Sequence, residues 1–175
     1  GRFQPPTTGH AENFKAVKNT AKGCDWFIYL SQTVDNKGSN PLDPDRKLYY
    51  AKKMFPNFAK HFRSGPKDPV AILKELQTEG YDDAMFVVGS DRVQAMKWVK
   101  NYNGKDFFFR KLDVISSGDR DADGDTFAIS GTKMRRAAVA NDFDTFRKGI
   151  PKGLNDKDTR KMMEEIQSNM PKLYK

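Results

Sequence analysis

Two separated stretches of the sequence carry side chains suited to binding phosphate. The first is GRFQPPTTGH at residues 1–10, where a turn rich in proline and glycine runs into a helical pattern. The two prolines disfavour helix and Gly9 tolerates a tight backbone, so we expect a helix from His10 to about Lys22. A helix start attracts phosphate because its first backbone N–H groups are unpaired and lie at the positive end of the helix dipole. Arg2 and His10 add a permanent cation and a titratable donor.

The second stretch is ISGTKMR at residues 129–135. Ser130 is suited to cap the start of a helix, and its hydroxyl and that of Thr132 can hold phosphate oxygens together with nearby N–H groups. Arg135 can reach back over the first helical turn and offer a planar pair of donors to an anion. A Ser-x-Thr sequence before a helix is more often only a cap, so this stretch indicates a phosphate site mainly in combination with the first.

Short apolar runs alternate with helical patterns along the chain. We predict buried strands at residues 26–30 and 85–88 and weaker strand candidates at 58–62 and 107–115. Helices are predicted between them, including one after Pro44 with Leu48, Ala51 and Phe55 on its buried side. This alternation predicts an α/β fold, a Rossmann-like parallel sheet with helices on both faces, in which ligands bind beyond the carboxyl ends of the strands.

Domain organisation is predicted from the same patterns. A parallel sheet of this kind needs a strand that leads into the opening turn, and we expect that strand upstream of Gly1. We predict one domain over residues 1–150, followed by a helical tail at 151–175 that serves as a docking segment or is loosely held.

Composition excludes several classes of protein. Hydrophobic residues make up 37% of the 175 residues, including 13 Phe, which excludes a disordered chain. No run approaches the roughly 20 apolar residues of a membrane span, and no signal-peptide pattern is present. The single cysteine, Cys24, is expected to be buried and fits a reducing compartment, so we predict a cytoplasmic protein. With only two histidines and one cysteine, no metal site formed by the protein itself is predicted.

The net charge of +8 indicates a surface that attracts anions. Nucleic acid and nucleotide substrates both fit this charge. The lysines and arginines are scattered and form no basic arm, which favours a small anionic ligand over nucleic acid.

The two stretches together resemble a known superfamily, the cytidylyltransferase-like nucleotidyltransferases with an (H/T)xGH motif near the start and an ISxTxxR motif near the end. Residues 7–10 match the first motif and residues 129–135 the second. The string GRFQP, an Asn40-Pro41 pair followed by Arg46, and Ser-Gly-Thr followed by two arginines are closest to the archaeal-type nicotinamide-mononucleotide adenylyltransferases. The resemblance covers about residues 1–140.

This resemblance implies a role for each matching residue. His10 would contact the α-phosphate of a nucleoside triphosphate and stabilise the charge that develops there, while Arg135 would act with it as the second catalytic group. The motif often begins with histidine, whereas Thr7 supplies only a hydroxyl. The nucleotide-binding residues implied by the resemblance are Arg2, Phe3, Thr7, Gly9, His10, Arg46, Gly89, Asp91, Ser130, Thr132 and Arg135.

The resemblance further implies the reaction and its partners. A phosphate oxygen of the acceptor would attack the α-phosphorus of ATP, pyrophosphate would leave, and Mg²⁺ would accompany the triphosphate. The specific expectation is adenylyl transfer to nicotinamide mononucleotide, giving NAD. Trp98 would stack on the acceptor base, or else it simply packs on the sheet, and a homo-oligomer is also implied.

Several alternatives stay open at this point. Cytidylyl transfer to a phosphorylated alcohol or sugar, or adenylyl transfer to phosphopantetheine, would use the same motifs. A non-catalytic nucleotide-binding or structural module could share the fold. Residues 119–124 match the first six positions of a calcium loop, but Ser130 stands where a glutamate is required, which favours a solvated acidic turn.

Overall fold

In the computed structural model, helices and short parallel strands alternate along residues 1–118 and 130–171, the part of the chain that it describes. The strands are β1 (Ile28–Ser31), β2 (Phe62–Gly65), β3 (Asp83–Val88) and β4 (Lys111–Ser116). The α-helices are α1 (Ala11–Ala21), α2 (Pro44–Met54), α3 (Pro69–Thr78), α4 (Val93–Met96), α5 (Gly131–Val139), α6 (Phe143–Lys148) and α7 (Asp156–Ser168).

The chain divides into two compact units. The first unit comprises Gly1–Ala11, Phe27–Gly65 and Gly124–Lys175, and the second comprises Glu12–Trp26 and Pro66–Asp123. The predicted boundary between residues 150 and 151 falls inside the first unit. Helix α7 packs there against α5 and α6 and buries Met162, Met163 and Ile166 completely or nearly so.

In the first unit, β1 and β2 pair in parallel, with Ile28 opposite Phe62 and Ser31 opposite Gly65. The connection between them contains α2, as expected for a crossover unit. Pro44 is the first residue of α2, and the Asp43 carboxylate caps the helix by accepting the N–H groups of Asp45 and Arg46. The predicted start of this helix is therefore confirmed.

In the second unit, β3 and β4 pair in parallel over six residues, from Asp83 opposite Lys111 to Val88 opposite Ser116. Both carboxyl ends lie at one edge, where the N–H of Ser117 donates to the Val88 carbonyl. Together with the first unit, these parallel strands and intervening helices confirm the predicted Rossmann-like α/β class. Among the described residues, the strands form two two-stranded sheets and not one continuous sheet.

The strand at residues 85–88 is present but is not buried as predicted. No residue of β3 is fully buried, and Met85 is 54% exposed. Ala84, Phe86 and Val88 pack on one face against a core around Leu112 and Val114. The apolar run therefore packs against the core through one face of β3.

Two predicted strand positions are wrong. Residues 58–61 belong to a 3-10 helix, Pro56–His61, and the strand begins at Phe62, the last residue of the predicted range. Proline fixes φ near the helical value and favours the first turn of a helix. The strand predicted at 107–115 begins only at Lys111, because the Asn103 side chain binds both the N–H and the carbonyl of Phe109.

Two predictions of burial also fail. Ala51 and Phe55 are buried as expected, but Leu48 is only partly buried. Lys47, Tyr50 and Met54 complete the buried face of α2. Cys24, expected to be buried, is exposed.

Within the described residues, none of the helices has both the length and the apolar surface that crossing a membrane requires.

Candidate active site

The opening segment is fixed by hydrogen bonds to three other parts of the first unit. The Gly1 carbonyl accepts the N–H of Ser31 at 2.9 Å, so the segment starts beside β1. The buried Gln4 side chain accepts the Leu42 N–H at 2.9 Å and donates to the Leu42 carbonyl at 3.4 Å. The Thr8 N–H donates to the carbonyl of Gly149 at 2.9 Å. The segment is therefore held from both flanks before α1 begins.

His10 is the last residue of a 3-10 turn, Thr8–His10, and α1 follows it at Ala11, close to the predicted helix start at His10. Its Nδ1 accepts the backbone N–H of Thr7 at 2.9 Å, and the Phe3 ring meets the imidazole edge to face at 4.7 Å. A ring nitrogen that accepts this bond carries no proton, so the neutral imidazole carries its proton on Nε2. Thr7, only 2% exposed, thereby fixes both the orientation and the tautomer of His10.

Arg135 joins the two predicted stretches. Its Nη1 donates to the Gln4 carbonyl at 2.8 Å, and its Nη2 is 3.3 Å from the Thr132 hydroxyl. One planar guanidinium therefore contacts a backbone group of the opening segment and a side chain of α5. The structure thus brings Gln4 and Arg135, which are 131 positions apart in the sequence, into direct contact.

Gly131 makes this close approach possible, and sequence reasoning missed it. A Cβ atom at this position would lie 3.0 Å from Arg135 Nη1 and 3.1 Å from the Gln4 carbonyl oxygen. Any larger residue would push these partners apart. Ser130, one residue earlier, caps α5 by accepting the Lys133 N–H at 3.2 Å, so the capping role is observed and the phosphate role stays a prediction.

Arg46, expected to bind phosphate, has protein partners in the structure. Its Nε forms a salt bridge with Glu165 at 3.1 Å, and its Nη2 donates to the Tyr50 hydroxyl at 2.8 Å. The hydrogen bond to Tyr50 and the charge of Glu165 both raise the pKa of Arg46. Arg46 thus joins α2 to α7. Arg2 is exposed at the amino end of the opening segment, and Gly9 is exposed within it.

Lys47 is a buried cation beneath the opening segment, and the sequence analysis did not single it out. It is 0% exposed, and its Nζ donates to the carbonyls of Arg2 and Ser31, each at 2.7 Å. Lys47 therefore ties the start of the opening segment to the end of β1. Burial lowers the pKa of its amine to about 8.

We expect this lysine to make stability depend on alkaline pH. Below about pH 8 the amine is charged in both the folded and the unfolded protein, so the folded protein bears the full cost of burying that charge. Between about pH 8 and 10.5 the folded state has lost the proton that the unfolded state keeps, so stability rises with pH, by up to about 3 kcal/mol. Urea unfolding of wild type and Lys47→Met at several pH values should show this rise in their difference. Parallel pH profiles for the two proteins would contradict it.

Three predicted site residues lie in the second unit. Gly89 follows β3 and is buried, and Asp91 lies exposed on the 3-10 turn Ser90–Arg92. The Ser90 N–H donates to the Gly118 carbonyl at 3.3 Å, so this turn adjoins the segment that follows β4. Trp98 is 41% exposed, and its ring contacts that of Tyr102 edge to face at 5.5 Å. The first unit thus holds the motif residues, and the second holds the residues assigned to nucleoside and acceptor.

The described residues contain no group of three or more His, Cys, Asp and Glu side chains that could hold a metal ion. The Arg135 guanidinium and the Thr132 hydroxyl beside it are donor groups of the kind that suits phosphate oxygens. The acidic sequence at 119–124 lies outside the described residues.

Comparison with known proteins agrees with this geometry. A family model described as cytidylyltransferase-like matches residues 1–137, a range that includes both motifs and both strand pairs. No curated protein matches the chain. The chain therefore belongs to the cytidylyltransferase-like family, and its general function is that of a nucleotidyltransferase.

Proposed function

We propose that the protein transfers an adenylyl group from ATP to a phosphate-bearing acceptor, with nicotinamide mononucleotide as the favoured acceptor and NAD as the product. The observation that supports it most directly is the Arg135 guanidinium between the Gln4 carbonyl and the Thr132 hydroxyl. This contact joins the two motif segments within one unit. The choice of ATP and of this acceptor rests on the GRFQP string and the Asn-Pro and Ser-Gly-Thr matches.

In the proposed reaction, an oxygen of the acceptor phosphate attacks the α-phosphorus in line. The bond from the α-phosphorus to the bridging oxygen breaks, and pyrophosphate leaves with the electron pair. No protein nucleophile is required, so the protein contributes positioning and charge stabilisation. The Nε2–H of His10 donates to the α-phosphate, and Ser130, Thr132 and Arg135 bind the β- and γ-phosphates.

Mg²⁺ enters this proposal as a partner of the nucleotide. The donors of the site fit phosphate, so the ion would be held chiefly by triphosphate oxygens and water. When bound, it would reduce the negative charge of the triphosphate. The protein's own cations then orient the phosphates.

The nucleoside of the bound nucleotide and the acceptor base are proposed to contact residues of the second unit. Asp91, exposed beyond β3, would accept hydrogen bonds from nucleoside hydroxyls or amino groups. Trp98 would offer an exposed ring face for stacking on the acceptor base. Both roles depend on the proposed transfer reaction.

The test is pyrophosphate release by the full-length protein with Mg²⁺. ATP and CTP would each be paired with nicotinamide mononucleotide, phosphopantetheine and glycerol phosphate, with each nucleotide alone as control. Release that needs ATP and nicotinamide mononucleotide together is the expected result. Release with another pair would replace the substrates and keep the reaction. No release from any pair, in protein that still binds ATP, would indicate a nucleotide-binding module.

A further inference from the structure

The end of α7 binds the loop at residues 35–41 of the first unit. Asn169 follows the last residue of α7, and its side-chain amide donates to the carbonyls of Asp35 and Pro41 at 3.2 and 3.0 Å. The loop is itself closed, because the Asp35 N–H donates to the Asn40 carbonyl at 2.8 Å and the Asn40 amide donates to the Asp35 carboxylate at 3.2 Å. One amide group of Asn169 therefore ties both ends of a closed loop to α7.

The end of this loop is in contact with the backbone group that receives Arg135. Leu42, the residue after Pro41, is only 1% exposed, and the Gln4 side chain binds both its N–H and its carbonyl. The Gln4 carbonyl in turn accepts Arg135 Nη1 at 2.8 Å. Asn169 is therefore connected to the guanidinium by three hydrogen-bonded contacts and one peptide bond.

A second amide near the end of α7 holds α5 itself. The Gln167 side chain donates to the Ala138 carbonyl at 2.6 Å. Because Ala138 lies in the last turn of α5, the helix that carries Arg135 is held from the same helix end as the loop at residues 35–41. The end of α7 thus fixes both sides of the contact between Gln4 and Arg135.

We propose that Asn169 is a positioning residue for Arg135, which it orients through the loop at residues 35–41 and the Gln4 backbone. Asn169 lies outside residues 1–137, the range that the family model matches, so neither motif accounts for it. A guanidinium recognises an anion through a planar set of donors, so its orientation matters as much as its charge. The catalytic importance of this orientation rests on the proposed function, whereas the coupling between Asn169 and Arg135 is a property of the folded protein and is testable without substrate.

The first test observes the Arg135 side chain by ¹⁵N NMR in the protein without added nucleotide. The Nε–H signal of Arg135 is assigned by its loss in Arg135→Lys. Asn169→Ala removes both donors to the loop, so we expect the Arg135 signal to move by more than its line width. Asn169→Asp keeps the size of the side chain but places a carboxylate against two carbonyls, so it should move the signal at least as far. Urea unfolding would check that each variant is folded.

Asn155→Ala is the matched control on the same helix. Asn155 caps the start of α7 by accepting the Asp158 N–H at 2.7 Å, and it is separated from Asn169 by about 20 Å of helix. Losing this cap lowers the urea midpoint of unfolding but leaves the donors to the loop in place. We therefore expect the Arg135 signal to keep its wild-type position in this variant. An unmoved signal in both Asn169 variants, or an equal movement in Asn155→Ala, would overturn the proposal.

A double-mutant cycle tests the same coupling in catalysis. Asn169→Ala should lower kcat/KM for ATP about tenfold in the wild-type background but less than about twofold in the Arg135→Lys background, where the guanidinium that it orients is absent. Equal losses in the two backgrounds would reject the positioning role and keep the reaction. A moved Arg135 signal in a protein that releases no pyrophosphate would reject the proposed function and keep the positioning role.

Discussion

His10→Ala is expected to lower kcat for pyrophosphate release by about 10²–10³-fold, the effect of losing one donor to a developing oxyanion. The imidazole has two separate tasks, because Nδ1 accepts the Thr7 N–H while Nε2 carries the proton proposed to reach the α-phosphate. The alanine variant loses both tasks. It should therefore also lose about 1–3 kcal/mol of stability, since the Thr7 N–H is left without this acceptor in a buried residue.

His10→Asn separates the two tasks. The asparagine carbonyl oxygen can take the position of Nδ1 and accept the Thr7 N–H, but the shorter side chain cannot place a donor where Nε2 lies. Its stability should be close to that of wild type, with activity as low as in the alanine variant. Urea unfolding and steady-state kinetics with ATP measure the two properties. Wild-type kcat in the asparagine variant would remove His10 from the proposed reaction.

Local signals in the sequence predicted the helix starts well. Asp43 and Ser130 each cap the helix that their sequence context predicts, and each accepts an N–H within the first turn. Such signals suffice because the donor and the acceptor lie within three residues of each other. The apolar run of β3 likewise predicts a strand, but such a run does not reveal how many faces are covered.

Long-range partners explain what the sequence did not reveal. A lysine within a helix usually faces water, and Lys47 is buried because the carbonyls of Arg2 and Ser31 converge on it. Arg46 matches a phosphate-binding position, yet its carboxylate partner, Glu165, lies 119 residues away. The need for glycine at position 131 likewise depends on the Gln4 carbonyl, which only the fold brings near.

Arg135→Lys is expected to lower kcat/KM for ATP about 10²-fold although the charge is kept. A guanidinium carries five N–H donors in one plane, two of which reach the Gln4 carbonyl and the Thr132 hydroxyl, whereas a lysine amine has only three donors on a flexible stem. If Arg135 binds the leaving phosphates more tightly in the transition state, kcat falls with kcat/KM, whereas uniform binding would change only KM. Arg160→Lys, an exposed position on α7, is the matched control and should behave as wild type.

Gly131→Ala tests the same contact without altering a donor. The added methyl group would lie 3.0 Å from Arg135 Nη1 and 3.1 Å from the Gln4 carbonyl oxygen, so the guanidinium must move by a few tenths of an ångström. Because catalysis by positioned charges is sensitive to such shifts, we expect about a tenfold loss of kcat/KM with little change in helix stability. Full activity in both Gly131→Ala and Arg135→Lys would show that the guanidinium serves the fold alone. Loss in both, with unchanged unfolding, would place its role in phosphate orientation.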